Sequence, residues 1–246
     1  MTTYERQAHI QLQFWQLRMQ KKPSLTDKLS RSVQSKINEY IPEKVHVAIT
    51  IAIEKMIKAV LFGAKYTTGS MPEQHMSLQM REALVKQKIG NYQKTATIEG
   101  AITGAGGFLL GLADFPLLLG IKLKLLFEIA ASYGYNVKDY KERLYILYIF
   151  QLAFSSQQRR NEIYQLLTGW QGYSSSLPED VQDFDWRIFQ QEYRDYIDLA
   201  KMAQLLPVIG AAVGAIANYK LIKQLGDTAM NCYRMRRISP LEIKNM

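Results

Sequence analysis

The chain has 246 residues, of which 31 are basic and 22 acidic, for a formal charge of +9, and 48% are apolar. Such a composition belongs to a folded protein with room for one large core or two modest ones, and it excludes low-complexity and disordered classes. A single cysteine, Cys232, excludes an internal disulfide and a multi-cysteine metal site, and it favours a reducing compartment.

The N-terminus, Met1-Thr-Thr-Tyr-Glu-Arg-Gln7, has no apolar signal-peptide core, so export by a standard signal peptide is not expected. Charge is unevenly spread. Residues 1–60 carry ten basic and five acidic groups, residues 172–200 two and seven, and residues 201–246 seven and two. Basic regions attract phosphate, whether of nucleic acid or of anionic lipid. No dense basic run interleaved with aromatics is present, and the acidic 172–200 segment interrupts any continuous basic face. Nucleic acid is therefore not an expected partner.

The spacing predicts helix almost throughout. Apolar residues at Ile10, Leu12, Phe14, Trp15, Leu17 and Met19 mark a first helix from Thr3, broken by Lys21-Lys-Pro23. Ser24-Leu-Thr-Asp27 reads as the capped start of a helix to about Tyr40. Another follows Pro42 and carries Val45 to Phe62; its charged side, Glu54, Lys55 and Lys58, is narrow, so most of its circumference should be covered. Tyr66 to Pro72 reads as a loop, and helix resumes at Ser77 through Lys94 into a glycine-rich segment.

In that segment Gly100, Gly104, Gly107 and Gly111 are spaced 4, 3 and 4 apart, one stripe on a helix. A second stripe, Gly210, Gly214 and Asn218, follows Pro207. Glycine inside a helix costs about 1 kcal/mol against alanine. Regular glycine spacing therefore points to close helix packing or to contact with a membrane or partner. Asp114-Phe-Pro116 reads as a junction, with Asp114 as N-cap of the next helix. Tyr133-Gly134-Tyr135 ends that helix through a left-handed glycine, and Asn136 begins another with the apolar run Leu144 to Phe154. Its aromatics, Tyr145, Tyr148, Phe150 and Phe154, suit core packing or a lipid or ligand groove. Ser155 to Arg160 is polar, Ile163 to Trp170 a short helix, and 172–185 an acidic loop. Trp186 to Gln204 is again helical, and the last helix runs toward Arg237. The expected fold is all-α, one multi-helix domain over 1–246 with the two glycine-rich helices at its centre.

Neither glycine segment is a clean membrane span. Gly100 to Ile121 carries Asp114 and Pro116, and Met202 to Tyr219, though uncharged, contains Pro207 and Asn218. A span needs about 20 apolar residues, and an aspartate at its middle costs roughly 2.5–3.5 kcal/mol. With a mean hydropathy of −0.17, buried helices in a soluble or peripheral protein are favoured over spans. A reversibly inserting hairpin is the intermediate case. Lys122, Lys124, Lys220, Lys223, Arg234, Arg236 and Arg237 flank the segments as phosphate or lipid contacts.

Catalytic constellations are missing from the pattern. His9, His46 and His75 have no metal-ligand spacing, and there is no nucleophile elbow, zinc-protease motif or Walker lysine. Gly104-Ala-Gly-Gly107 is preceded by helix rather than strand, which argues against a phosphate loop. Cys232 is a structural cysteine, or one whose thiol Arg234 and Arg236 draw down. Glu99, Asp114 and Asn218 (with Glu128 nearby) are the polar residues near apolar surroundings. They suit capping and surface placement, or a buried acid–base pair. No metal and no cofactor are expected.

Three blocks together resemble the EcsC family of bacterial proteins: Tyr40-Ile-Pro-Glu-Lys-Val-His46; the Gly100 to Asp114-Phe-Pro116 stretch with Tyr133-Gly-Tyr135; and Leu206-Pro-Val-Ile-Gly-Ala-Ala-Val-Gly-Ala-Ile-Ala-Asn218 with Tyr233-Arg-Met-Arg236. They keep one order over about residues 25–238. The resemblance implies a gene beside an ABC-type transporter in Bacillus-like bacteria, and no established activity or catalytic residue. The expectation is a non-enzymatic accessory factor on the cytoplasmic face of the membrane, contacting lipid or transporter subunits. The alternative is a hydrolase, or a protein that binds a small molecule or lipid, with an unfamiliar helical site.

Overall fold

The computed structural model describes residues 1–21, 43–62, 75–105, 107–196 and 211–238. The helix expected from Ser24 to Tyr40, the loop Tyr66–Pro72, the end of the helix expected to reach Gln204, Pro207 and Gly210 lie outside the described residues. Among the described residues the fold is all-α, with no strand and with no helix long and apolar enough to cross a membrane.

Helix α1 (Thr3–Gln20) starts with a reciprocal cap. Thr2 Oγ1 accepts the Glu5 amide at 3.2 Å, and Glu5 accepts the Thr2 amide at 2.7 Å. It buries Ala8, Leu12 and Trp15, spaced i, i+4, i+7, and ends at Lys21. Helix α2 (Glu43–Phe62) buries Ile49, Ile53, Met56, Ile57 and Val60 but leaves Val47, Ile51 and Phe62 exposed. The exposed positions, with Lys55, Lys58 and Ala59, form one stripe of about a third of the helical wheel, and the other described positions are buried or half-buried, so most of the circumference is covered as expected.

Helices α3 (Leu78–Ala105) and α4 (Gly107–Tyr133) divide the first glycine stripe. Gly100 and Gly104 fall on α3 and Gly107 and Gly111 on α4, so the four do not share one helix. The expected junction at Asp114 is also corrected. Helix α4 runs unbroken through Asp114-Phe-Pro116, so Asp114 is not an N-cap and Pro116 lies inside the helix. The fixed φ of proline suits a helix, and the hydrogen bond back to Leu112 is lost. The flanking apolar run outweighs that local break. Helices α3 and α4 pack antiparallel: Glu82 meets Tyr133, and Tyr92 meets Glu128 at 2.8 Å.

The end of α4 is as expected. Gly134, at φ +91°, closes it, with its amide on the Ala131 carbonyl at 2.9 Å and the Tyr135 amide on Ala130 at 3.1 Å. Helix α5 (Tyr140–Phe154) then starts four residues later than Asn136, because Asp139 caps it through the Lys141 amide and Asn136 closes a turn on the Lys138 amide. Leu144 to Phe154 is buried throughout, which assigns its aromatics to the core.

Helix α6 (Gln157–Thr168) begins ahead of Ile163, capped by Ser156. Helix α7 (Trp170–Ser176) takes the first part of the expected acidic loop. Ser174, Ser175 and Ser176 turn their hydroxyls back onto the carbonyls of Gln171 and Tyr173, so this serine run continues a helix anchored by buried Trp170. A 3-10 turn (Val181–Asp183) and α8 (Trp186–Tyr196) follow.

The last helix, α9 (Ala211–Arg237), packs most extensively on α3 and also meets α4, α5 and α1. It comes close to α3 at Gly226, where an added Cβ would stand 2.5 Å from Ile89 Cδ1.

Candidate functional site

The end of α9 carries Tyr233-Arg234-Met-Arg236-Arg237, of which Arg234 is buried, Arg236 half-buried and Arg237 exposed. Arg234 grips Glu82 of α3 with both arms, Nε to Oε1 at 2.7 Å and Nη2 to Oε2 at 2.5 Å. Tyr4 and Tyr133 also donate to this carboxylate, at 2.7 and 3.0 Å, and Arg234 reaches Gln11 of α1 at 3.2 Å. Three helices and the end of α4 are thereby tied through one carboxylate. Burial alone would raise the Glu82 pKa. The bonds from Arg234 and the two tyrosines outweigh burial and hold it below the usual carboxylate value.

A second buried carboxylate stands nearby. Glu142 of α5 accepts from Tyr233 and from Arg236, both at 2.7 Å. The Arg236 guanidinium lies 3.8 Å above the Tyr135 ring and 4.4 Å from the Tyr145 ring, while Tyr133 and Tyr233 stack at 5.3 Å. Here burial wins over Arg236, and the Glu142 pKa is raised. The same burial pushes the Tyr133, Tyr145 and Tyr233 phenols well up. Both carboxylates are engaged in holding helices together.

Beside this cluster, between α1 and α9, an open groove of about 550 Å³ is lined by Phe14, Trp15, Arg18, Lys86, Lys223 and Arg234 among others. A second hollow of about 400 Å³ shares Trp15, Arg18 and Lys223 and adds Arg160 and Lys220. Asp227 lies on both and pairs with Lys223 at 2.6 Å. Lys86 stands over the Tyr4 ring and donates to its hydroxyl at 3.1 Å. Arg18, Lys86 and Lys220 stand with the paired Lys223 and Arg234 near Trp15 and the exposed Phe14, an arrangement suited to phosphate or another anion.

A model of the EcsC protein family matches residues 6–238. The chain belongs to the EcsC protein family. It is 46% identical over 222 residues to "Protein EcsC" of Bacillus subtilis (strain 168), covering 90% of this chain and 91% of that one. It is 29% identical over 238 residues to "Uncharacterized protein YdbA" of the same strain, covering 89% and 88%. No solved structure matches.

In this EcsC-family chain, two of the blocks that carry the resemblance meet in space. Tyr133 and Tyr135 of one lie against Tyr233 and Arg236 of the other. Of the expected phosphate contacts, Lys220 and Lys223 reach the groove rim, and exposed Lys124 lies on α4 away from it. Arg234 and Arg236 instead hold Glu82 and Glu142, and Arg237 donates to the Tyr133 carbonyl at 2.8 Å. Lys122 is buried with Asn218, its ammonium 3.1 Å from Oδ1, so it faces no surface.

Asn218 is thus a partner of Lys122 inside the α4–α9 contact. Glu99 and Asp114 stand on α3 and α4, and Gly214 on α9. Cys232 is fully buried, and burial raises its thiol pKa against the smaller pull of Arg236. The idea of a thiol drawn down by arginines is therefore corrected. Sequence spacing missed Glu82, Glu142 and Lys86, whose partners lie on other helices, and Arg18, which lines both hollows. It also missed Gly226, which was visible as a lone glycine inside an otherwise ordinary helix.

Proposed function

We propose that the protein is a non-catalytic accessory factor that works on the cytoplasmic face of the cell membrane, beside an ABC-type transporter. The observation that carries the membrane part is the groove beside α1 and α9 together with the hollow that adjoins it: Arg18, Lys86 and Lys223 line the first with Phe14 and Trp15, Lys220 lines the second, and Asp227 offsets Lys223 in both. Anionic headgroups answer such a set of cations. The consumption of Glu82 and Glu142 in structural ion pairs favours a non-catalytic role. The transporter part rests on the family resemblance, an association of genes and not a contact. Gly100, Gly104, Gly107, Gly111, Gly210 and Gly214 serve close helix packing or partner contact in this reading, and Glu99, Asp114 and Asn218 are structural.

Sedimentation with vesicles of phosphatidylglycerol and phosphatidylcholine tests it. The protein should bind the anionic vesicles and leave neutral ones, and Arg18→Glu with Lys220→Glu should weaken binding about tenfold or more. Equal binding of the charge-reversed variant would remove the groove from the account.

A further inference from the structure

Helix α1 has two apolar faces, and the body of the protein covers one. Ala8, Leu12 and Trp15 are buried, whereas Ile10, Phe14 and Leu17 are 45%, 64% and 60% exposed. Each exposed residue stands two positions beyond a buried one. Two residues are about 200° of helix, so the second stripe points away from the core along the same i, i+4, i+7 rows. A row of large exposed side chains has a use outside the fold more often than one scattered exposed residue does.

The charges around the stripe indicate its occupant. Exposed Arg6, Arg18 and Lys21 flank it, and the acid of this helix, Glu5, is occupied in the cap with Thr2. The remaining polar positions are uncharged side chains, Thr3, Tyr4 and five glutamines, and His9. Phe14 and Arg18 also line the groove that holds Lys86 and Lys223, so the stripe and the cationic groove form one continuous surface. Apolar side chains edged by basic ones match the boundary between acyl chains and anionic headgroups.

We infer that α1 is the membrane-seating element: it lies in the plane of an anionic lipid surface with Ile10, Phe14 and Leu17 among the acyl chains and Arg6, Arg18 and Lys21 at the phosphates. This inference rests on the membrane reading above and adds which element enters the lipid. The bulk of the protein stays outside the bilayer, held by one surface helix.

The test compares the intact protein with an Ile10→Gln/Phe14→Gln/Leu17→Gln variant on phosphatidylglycerol vesicles. All three residues are exposed, so helix content and melting temperature should be unchanged. The variant should bind about tenfold or more weakly. At about 1 M salt, where screening acts within about 3 Å, the intact protein should keep residual binding that the variant lacks. Phe14→Trp should place an indole that brominated lipid tails quench.

Binding of the intact protein with no loss in the triple variant, or no quenching, would overturn the inference and leave the membrane reading standing. Failure of the intact protein to bind anionic vesicles would overturn both. A dimer in solution that the triple variant dissolves, with vesicle binding unchanged, would reassign the stripe to a contact between copies and overturn it.

Discussion

Glu82 on α3 and Arg234 on α9 lie 152 positions apart and meet in a two-armed buried ion pair. Removing one partner leaves a buried charge uncompensated, which typically costs about 3–5 kcal/mol. Arg234→Met should destabilise the protein by about that much in urea unfolding. Glu82→Leu combined with Arg234→Met should cost much less than the two single changes added together, because no charge is stranded. Additive losses would mean that the pair is not coupled in the folded protein.

The pair also sets an acid response. Glu82 is held below the usual carboxylate value of 4.5. Its stabilisation is therefore present above that value and is lost as the pH falls through the lower folded value. Glu142 is raised, so its sign is opposite: ionising it in the folded state costs stability as the pH rises through the usual value toward its folded one. The stability lost by wild type between neutral pH and a pH below 4.5 should shrink in Glu82→Gln and not in Glu142→Gln. Urea midpoints at the two pH values measure it, and an unchanged acid loss in Glu82→Gln would contradict the assignment.

Gly226 lets α9 approach α3. A methyl there would stand 2.5 Å from Ile89 Cδ1 and 2.7 Å from Cγ1, so buried Ile89 must move. Gly226→Ala gains about 1 kcal/mol of helix propensity and loses roughly 1–3 kcal/mol to overpacking. The single change should be neutral to destabilising, and in the Ile89→Ala background the same change should stabilise. Thermal melts of the four proteins read that reversal; the same sign in both backgrounds would mean that the contact does not limit the approach.

Cys232 is fully buried with a raised thiol pKa. A thiol reagent at neutral pH should label it only as the protein unfolds, with a rate that rises alongside the unfolded fraction in urea. Rapid labelling of the native protein would contradict the packing of α9 against α5, where the Tyr145 hydroxyl holds the Cys232 carbonyl at 2.9 Å.

Much of the helix layout was legible in spacing. The apolar spacing of α1 from Thr3, the left-handed end at Gly134 and the buried run of α5 follow from local rules. Asp114-Phe-Pro116 misled because turn chemistry is local, while the apolar run through it belongs to one long helix. The candidate site was less legible. Lys122, Arg234 and Arg236 look like surface cations in one dimension, and each is buried or paired with a residue far along the chain. The second face of α1 was hidden for a related reason: Ile10, Phe14 and Leu17 merge with Leu12, Trp15 and Met19 into one apolar helix until burial separates them.

The proposed attachment to the membrane is by surface charge and one face of α1. The most direct measurement is fractionation of the protein expressed in a Bacillus-type cell, with the membranes washed first in high salt and then in alkaline carbonate. The account predicts recovery with the membranes, partial release by salt and complete release by carbonate. Recovery wholly in the cytosol, or retention through carbonate, would contradict it.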